Sequence, residues 1–202
     1  MTSRILSADA SDSRRCASVL ADAFSDDPLM ATIWPERGRR HSALTGYFDA
    51  SLRHFHVTGG GVRYAVTDAG DIAAAAVWDP PGSRQSITRT LRALPSLLPI
   101  LRGRTNAALG VRSTLDAHHP TRPHWYLANL GSSTARRGHG FAAALMTDQL
   151  ARCDRDGVDA YLVCTSPDNI AFYEQFGFVV TEKFALASGA EMMSMWRACT
   201  AR

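Results

Sequence analysis

The sequence predicts a mixed α/β fold in which a mostly antiparallel central sheet contains one parallel strand pair and carries helices on its faces. Two observations predict it. Strand-length apolar runs are interleaved along the chain with longer segments whose apolar residues recur at helical spacing. Near the carboxyl end, His124 to Gly131 and Ala160 to Cys164 read as strands joined through one long helix, the crossover that parallel neighbours require. At 202 residues the chain is expected to form a single domain that buries a full core without disulfides or metals.

Arg4 to Ala8 reads as the first strand. Asp12 or Ser11 can then cap a helix carrying Cys16, Val19, Leu20, Ala23 and Phe24 at helical spacing, and Asp27-Pro28 breaks it. A second helix is predicted from Arg39 to Val57 through Leu44, Phe48, Leu52 and Phe55, ended by Gly59-Gly60-Gly61. Val62 to Thr67 and Ile72 to Trp78, joined by Asp68-Ala69-Gly70-Asp71, form an antiparallel hairpin. Between Pro81 and Pro120 an Arg- and Leu-rich stretch, broken by Pro95, Pro99 and Gly103, reads as two or three short amphipathic helices. These serve either as a lid packed on the sheet or as a wall of a pocket. After the strand at His124 come a helix from Gly138 to Arg155, the parallel strand, a helix from Pro167 to Phe176, and a last hairpin of Phe178 to Leu186 and Glu191 to Trp196.

Composition removes several function classes. The net charge is only +3 and the arginines are dispersed, which argues against a nucleic-acid partner. No apolar stretch approaches the roughly 20 residues of a membrane span. Met1-Thr2-Ser3-Arg4 leads into no signal-like core, so no membrane partner is expected and a cytoplasmic location is. Cys16, Cys153, Cys164 and Cys199 lie apart with no C-x-x-C pair, a pattern of reduced thiols, with Cys164 in the core. No metal is expected at His118-His119 or His54-Phe55-His56 either, because adjacent or i,i+2 residues on a helix point to different sides. Lys183 is the sole lysine beside 21 arginines, which with abundant alanine points to a GC-rich bacterial coding sequence.

The most informative run is Arg136-Arg137-Gly138-His139-Gly140-Phe141-Ala142, which joins a strand to a helix start. Glycines let backbone N–H groups approach anionic oxygens with no Cβ in the way, the helix start contributes roughly half a positive charge, and two arginines add full ones. The run therefore predicts a pyrophosphate cradle. It lacks the Lys and Ser/Thr of a nucleotide-triphosphate loop and the third spaced glycine of a dinucleotide fingerprint. A second element follows, Ser166-Pro167-Asp168-Asn169-Ile170-Ala171-Phe172-Tyr173-Glu174-Gln175-Phe176-Gly177-Phe178. The pair resembles the GNAT superfamily of N-acetyltransferases. Arg137, Gly140 and Ala142 match its Q/R-x-x-G-x-G/A acetyl-CoA loop, and Asn169, Phe172, Tyr173, Gly177 and Phe178 match its N-x-x-F-Y-x-x-x-G-F signature. Within the superfamily, the stretch from His124 to Phe178 looks most like the branch containing puromycin N-acetyltransferase. Weaker echoes are Ala23-Phe24-Ser25-Asp26-Asp27-Pro28 and Ala76-Val77-Trp78-Asp79-Pro80-Pro81.

That resemblance implies a GNAT fold whose parallel strands splay apart, with acceptor-side helices in residues 1–120 and an acetyl-CoA-binding core in 121–202. It implies transfer of acetyl from acetyl-CoA to a primary amine of a small, antibiotic-like molecule by direct attack in a ternary complex, and it is compatible with a homodimer. The pantetheine arm would pair with the backbone of Ala128, Asn129 and Leu130, and an amide at Ala128 or Asn129 would polarise the thioester carbonyl. Amides of Arg137, Gly138, His139, Gly140, Phe141 and Ala142 would take the pyrophosphate, with Arg136 and Arg137 as charged neighbours. Tyr173 is the expected proton donor to the departing thiolate, because a phenol with a reference pKa of about 10 keeps its proton at neutral pH. It also fits a core aromatic. Asn169 either caps its helix or, if Ser166-Pro167 start that helix, bonds the cofactor. For the base, Val163 stands where puromycin-acetyltransferase-like sequences often carry Glu. His124, on the strand where arylalkylamine acetyltransferases place histidines of a proton relay, is the candidate, and deprotonation through a water chain needs no single base. Phe24, Trp34, Tyr47, Trp78 and Tyr126 are candidates for an aromatic acceptor pocket. Two other readings fit the same residues: a non-catalytic acyl-CoA sensor or interaction module, and an acetyltransferase of a protein amine.

Overall fold

The strands are β1 (Arg4–Ser7), β2 (Val62–Val66), β3 (Ile72–Asp79), β4 (Trp125–Ser132), β5 (Ala160–Cys164), β6 (Val179–Ala185) and β7 (Glu191–Arg197). In the computed structural model they form one open sheet in the order β1-β2-β3-β4-β5-β7-β6, antiparallel at every junction except β4–β5. The structure describes residues 4–83 and 87–200. Met1 to Ser3 of the amino-terminal run, residues 84–86 of the stretch after Pro81, and residues 201–202 lie outside the described residues.

The helices are α1 (Ser13–Ala23), α2 (Pro28–Ile33), α3 (Arg37–Ser51), α4 (Ile87–Leu101), α5 (Thr105–Ala117), α6 (Phe141–Asp156) and α7 (Ile170–Glu174). Alternation along β2 and β3 divides the core between two faces. Val62, Tyr64, Ala75 and Val77 face a cluster with Leu20, Leu44, Phe48 and Ile33 from the first three helices, and Val111 of α5 joins it. Ala74, Ala76 and Trp78 face the other way, against Phe141, Leu145 and Met146 of α6. No helix of the described residues is long and apolar enough to cross a membrane.

Several predicted elements shift. Asp27-Pro28 ends the first helix but also starts α2, because the Asp27 carboxylate accepts the Met30 N–H at 3.0 Å and Pro28 occupies the first helical position. The predicted helix through Val57 is α3 followed by a π turn over Leu52–His56 and a 3₁₀ turn to Gly59. Pro95 and Pro99 do not break the next helix; both lie inside α4. They are four residues apart and exposed, so the carbonyls they leave unpaired reach water. Asp12 precedes α1 without capping it; its carboxylate instead accepts from Asp9 N–H and Tyr64 Oη, both at 3.2 Å.

Two features of β4 shape the site. It pairs with β5 only through Trp125–Ala160, Tyr126–Tyr161 and Leu127–Leu162, after which the strands run on unpaired with each other. Opposite β3, Asn129 faces Val77 and Leu127 faces Trp78, so Ala128 is the extra residue of a bulge. α1 crosses β4 so closely that a Cβ on Gly131 would stand 2.5 Å from the Ala23 Cβ. Gly131→Ala should therefore destabilise the fold by about 1–3 kcal/mol. Urea unfolding checks this, and an unchanged midpoint would contradict the close packing.

Candidate active site

The loop leaving β4 is fixed to α1 before it reaches the glycines. The Asp22 carboxylate accepts the Thr134 N–H and Oγ1–H at 2.5 and 3.0 Å, and Arg137 donates to the Ala23 carbonyl at 3.1 Å. Gly138 (φ 78°) and Gly140 (φ 80°) then adopt left-handed conformations, with open space where a Cβ would lie. Gly140 precedes α6 and offers no side-chain cap. The first α6 amides therefore lack helical acceptors and face outward as an anion-binding end. Phe141 buries its side chain in the core, so only its backbone serves this loop. His139 donates from Nδ1 to the Arg137 carbonyl at 2.9 Å.

A cavity of about 1390 Å³ runs from this loop along the parted strands to α2, α4 and α5. Arg137, Gly138 and Ala142 line one end; Ala128, Asn129, Leu130, Asn169 and Tyr173 line the middle. Arg136, His139, Gly140 and Phe141 do not line it. Ser166 precedes a 3₁₀ turn whose first residue is Pro167, and Asn169, which precedes α7, makes no side-chain cap, so its amide is left for the cavity. Tyr173 is half-buried against Phe172 and Phe178, with ring centroids 5.3 and 6.2 Å away. Burial, with Cys164 and Asp27 nearby, holds its hydroxyl well above the ordinary phenol range. Phe24, Tyr47 and Tyr126 line the cavity, whereas Trp34 and Trp78 are buried outside it.

Val163 also lines the cavity, but a carboxylate approaches the same region from a different element. Asp27, at the start of α2, accepts a short hydrogen bond from Thr165 Oγ1 just beyond β5. Burial raises its carboxyl above the usual range, outweighing the hydrogen bonds from Thr165 and the α2 amides. From sequence, Asp27 reads as a helix breaker and as part of the Ala23-to-Pro28 run, not as a candidate base. Its legible signal was the Asp-Pro helix start, which places a carboxylate at the entrance of α2.

His124 is buried, and both its ring nitrogens are engaged. Nδ1 lies 2.6 Å from the Arg122 carbonyl, which can only accept, so Nδ1 carries the proton and Nε2 accepts from His119 Nε2 at 3.2 Å. This leaves His119 Nδ1 as the ring atom with an available lone pair on the cavity wall. Burial lowers the pKa of both rings, and for His119 the neighbouring His124 adds to it. His118 turns away, bonding Glu182 at 2.9 Å and stacking on Phe184. Among the described residues, no group of three or more His, Cys, Asp or Glu is placed to hold a metal ion.

Known proteins resemble this chain in sequence and in fold. The acetyltransferase (GNAT) family model matches residues 76–178. A Schizosaccharomyces pombe protein described as an uncharacterized N-acetyltransferase is 27% identical over 198 residues, covering 88% of this chain and 75% of its own. Among solved structures, a Corynebacterium glutamicum protein described as histone acetyltransferase HPA2 and related acetyltransferase is similar with a TM-score of 0.77 and 25% identity. The match covers 100% of this chain and 99% of that one. Drosophila melanogaster polyamine N-acetyltransferase shares the fold, with a TM-score of 0.62 at 17% identity over 96% of this chain and 98% of its own.

The turn that follows α7 is held by Arg197, which donates to the Phe176 carbonyl at 2.9 Å and to both Asp154 oxygens at 2.8 Å. These paired bonds hold the Asp154 carboxyl far below its ordinary value. Its stabilising contribution is complete above the unfolded value of about 4 and is lost as pH falls toward the depressed folded value. Arg197→Met should cost about 3 kcal/mol at pH 7. Its loss of stability between pH 5 and pH 2 should also be shallower than that of the unaltered protein, as measured by urea unfolding across pH. Parallel pH profiles would contradict the pairing.

Proposed function

The chain belongs to the acetyltransferase (GNAT) family, and on that premise we propose that it moves acetyl from acetyl-CoA to a primary amine of a small molecule by direct attack in a ternary complex. The observation that carries this reading is the early end of the β4–β5 pairing at Leu127–Leu162, which opens onto the uncapped, glycine-led start of α6. The residues present fit acetyl-CoA. Room at Gly138 and Gly140, the free α6 amides and Arg137 suit a pyrophosphate, and the unpaired edge of β4 at Ala128, Asn129 and Leu130 suits an amide-bearing arm. Asn169 is a further polar contact for that arm, and Arg136 and His139 add charge and polarity on the solvent side.

When bound, acetyl-CoA supplies the thioester. An amide of Ala128 or Asn129 polarises its carbonyl. The amine, once neutral, would bond through its nitrogen to the acetyl carbon as the carbon–sulfur bond breaks. Its one surplus proton would leave to Asp27, Tyr173 would give its proton to the departing sulfur, and the proton held by Asp27 would return to Tyr173 through water. Burial makes the Asp27 carboxylate a stronger base and keeps the Tyr173 phenol protonated, so that the phenol meets the charge developing on sulfur as a hydrogen-bond donor. His124 serves one step back, fixing His119 at the acceptor end. The small-molecule reading is supported by the walls that α4 and α5 place around the acceptor side.

Tyr173→Phe should lower kcat by about 100-fold or more while leaving acetyl-CoA affinity nearly unchanged. Quantifying acetylated amine by mass spectrometry, with calorimetry for binding, checks this; unchanged turnover removes Tyr173 from the acid role. Asn caps helices as well as Asp, so Asp27→Asn keeps the start of α2 and isolates the charge. Its kcat/KM should fall by about 100-fold, and the acid limb of the pH profile, placed above the ordinary carboxylate value of about 4, should disappear. An acid limb that survives and does not move with the pKa of the amine used would assign the base elsewhere.

A further inference from the structure

The acceptor half of the cavity has a chemistry that the transfer reaction does not require. α4 and α5 present Leu94, Leu98 and Leu109 to it, and these side chains are 36%, 51% and 57% exposed. Leu97, Leu101 and Leu115 continue the same wall deeper in, and Val163 keeps the floor apolar near the reacting centre. Leucines that line a cavity and remain uncovered by protein gain free energy only when an apolar ligand covers them.

The carboxylates of this half are already engaged. Asp79 accepts from the buried His56 at 2.8 Å, Asp116 pairs with Arg112 at 3.4 Å, and Asp26 pairs with Arg37 at 2.8 Å. Asp27 holds Thr165 and the Met30 amide. A polycationic acceptor needs several free anions along its length, since an ammonium taken from water without a partner is costly. This wall provides leucines along that length instead.

We infer that the acceptor is a lipophilic monoamine, a single primary amine on an alkyl or aryl body, with its nitrogen at Asp27 and its body along the α4–α5 leucines. This rests on the transferase reading above and adds the substrate class to it. Linear alkylamines isolate the effect, because their amines titrate alike and the chain length varies alone. The purified protein is given acetyl-CoA with butylamine, hexylamine or octylamine, with diamines of matched length, and with spermidine, and acetylated product is quantified by mass spectrometry. Burial of each methylene at about 0.8 kcal/mol corresponds to about a 4-fold rise in kcat/KM per carbon. Each monoamine should exceed its matched diamine by more than about 10-fold, because the second ammonium meets leucine.

Leu98→Asp alters an exposed side chain and should flatten the chain-length gradient, while calorimetry reports unchanged acetyl-CoA binding. A flat gradient in the unaltered protein, or a preference for diamines or spermidine, overturns the acceptor class and leaves the transferase reading standing. Bound acetyl-CoA with no product from any of these amines overturns the acceptor class, whereas failure to bind acetyl-CoA overturns the transferase reading itself, and this inference with it.

Discussion

The site depends on a parallel junction that stops early. β4 and β5 share three residue pairs and then part, although both strands continue. Leaving strand edges unpaired inside a sheet costs hydrogen bonds, and native proteins keep such costs where something else meets the exposed groups. The gap is held from its outer sides. β4 stays paired to β3 through Ser132, and β5 stays paired to β7 through Cys164, so neither strand can relax toward the other. The bulge at Ala128 turns β4 at the point of departure, and α1, seated on Gly131 and tied to the loop through Asp22, fixes where the strand hands over to the glycines.

Around that gap, charge and hydrocarbon are separated. The α6 end offers amides, Arg137 and glycine clearance, a surface for anions. The centre holds two protonatable groups that burial displaces upward, the Asp27 carboxyl above the usual carboxylate range and the Tyr173 phenol well above the ordinary phenol range. The far side is leucine on two helices. Val163 supplies no acid, and Thr165, just past β5, holds the Asp27 carboxylate of α2's start at the wall of the same cavity. A carboxylate can thus reach the same region from another element.

Much of this was legible in the sequence because periodicity and motifs carry it. The strand positions, the long α6 and the helical start at Pro167 follow from apolar spacing and turn residues. The glycine loop and the Asn169 to Phe178 stretch follow from residue types at fixed offsets. Other parts were hidden for physical reasons. α2 is only six residues long, too short for a helical period to register. Pro95 and Pro99 read as breakers because sequence does not reveal that they share an exposed face. The place of Asp27 arises from contact with a residue 138 positions away. The His119–His124 pairing depends on a turn between them. Ala128, Asn129 and Leu130 offer an unpaired backbone edge, which leaves no side-chain trace, and they were legible only through family resemblance.

Hydrogen exchange of the full chain with and without saturating acetyl-CoA tests the central claim most directly, because it reads the backbone amides themselves. Slowed exchange concentrated in 128–130 and 137–143, with α4 and α5 unaffected before an amine is added, is the expected result. Saturated binding that leaves those amides unprotected, or that protects α4 and α5 instead, would contradict the assignment of the parted strands and the α6 start as the cofactor site.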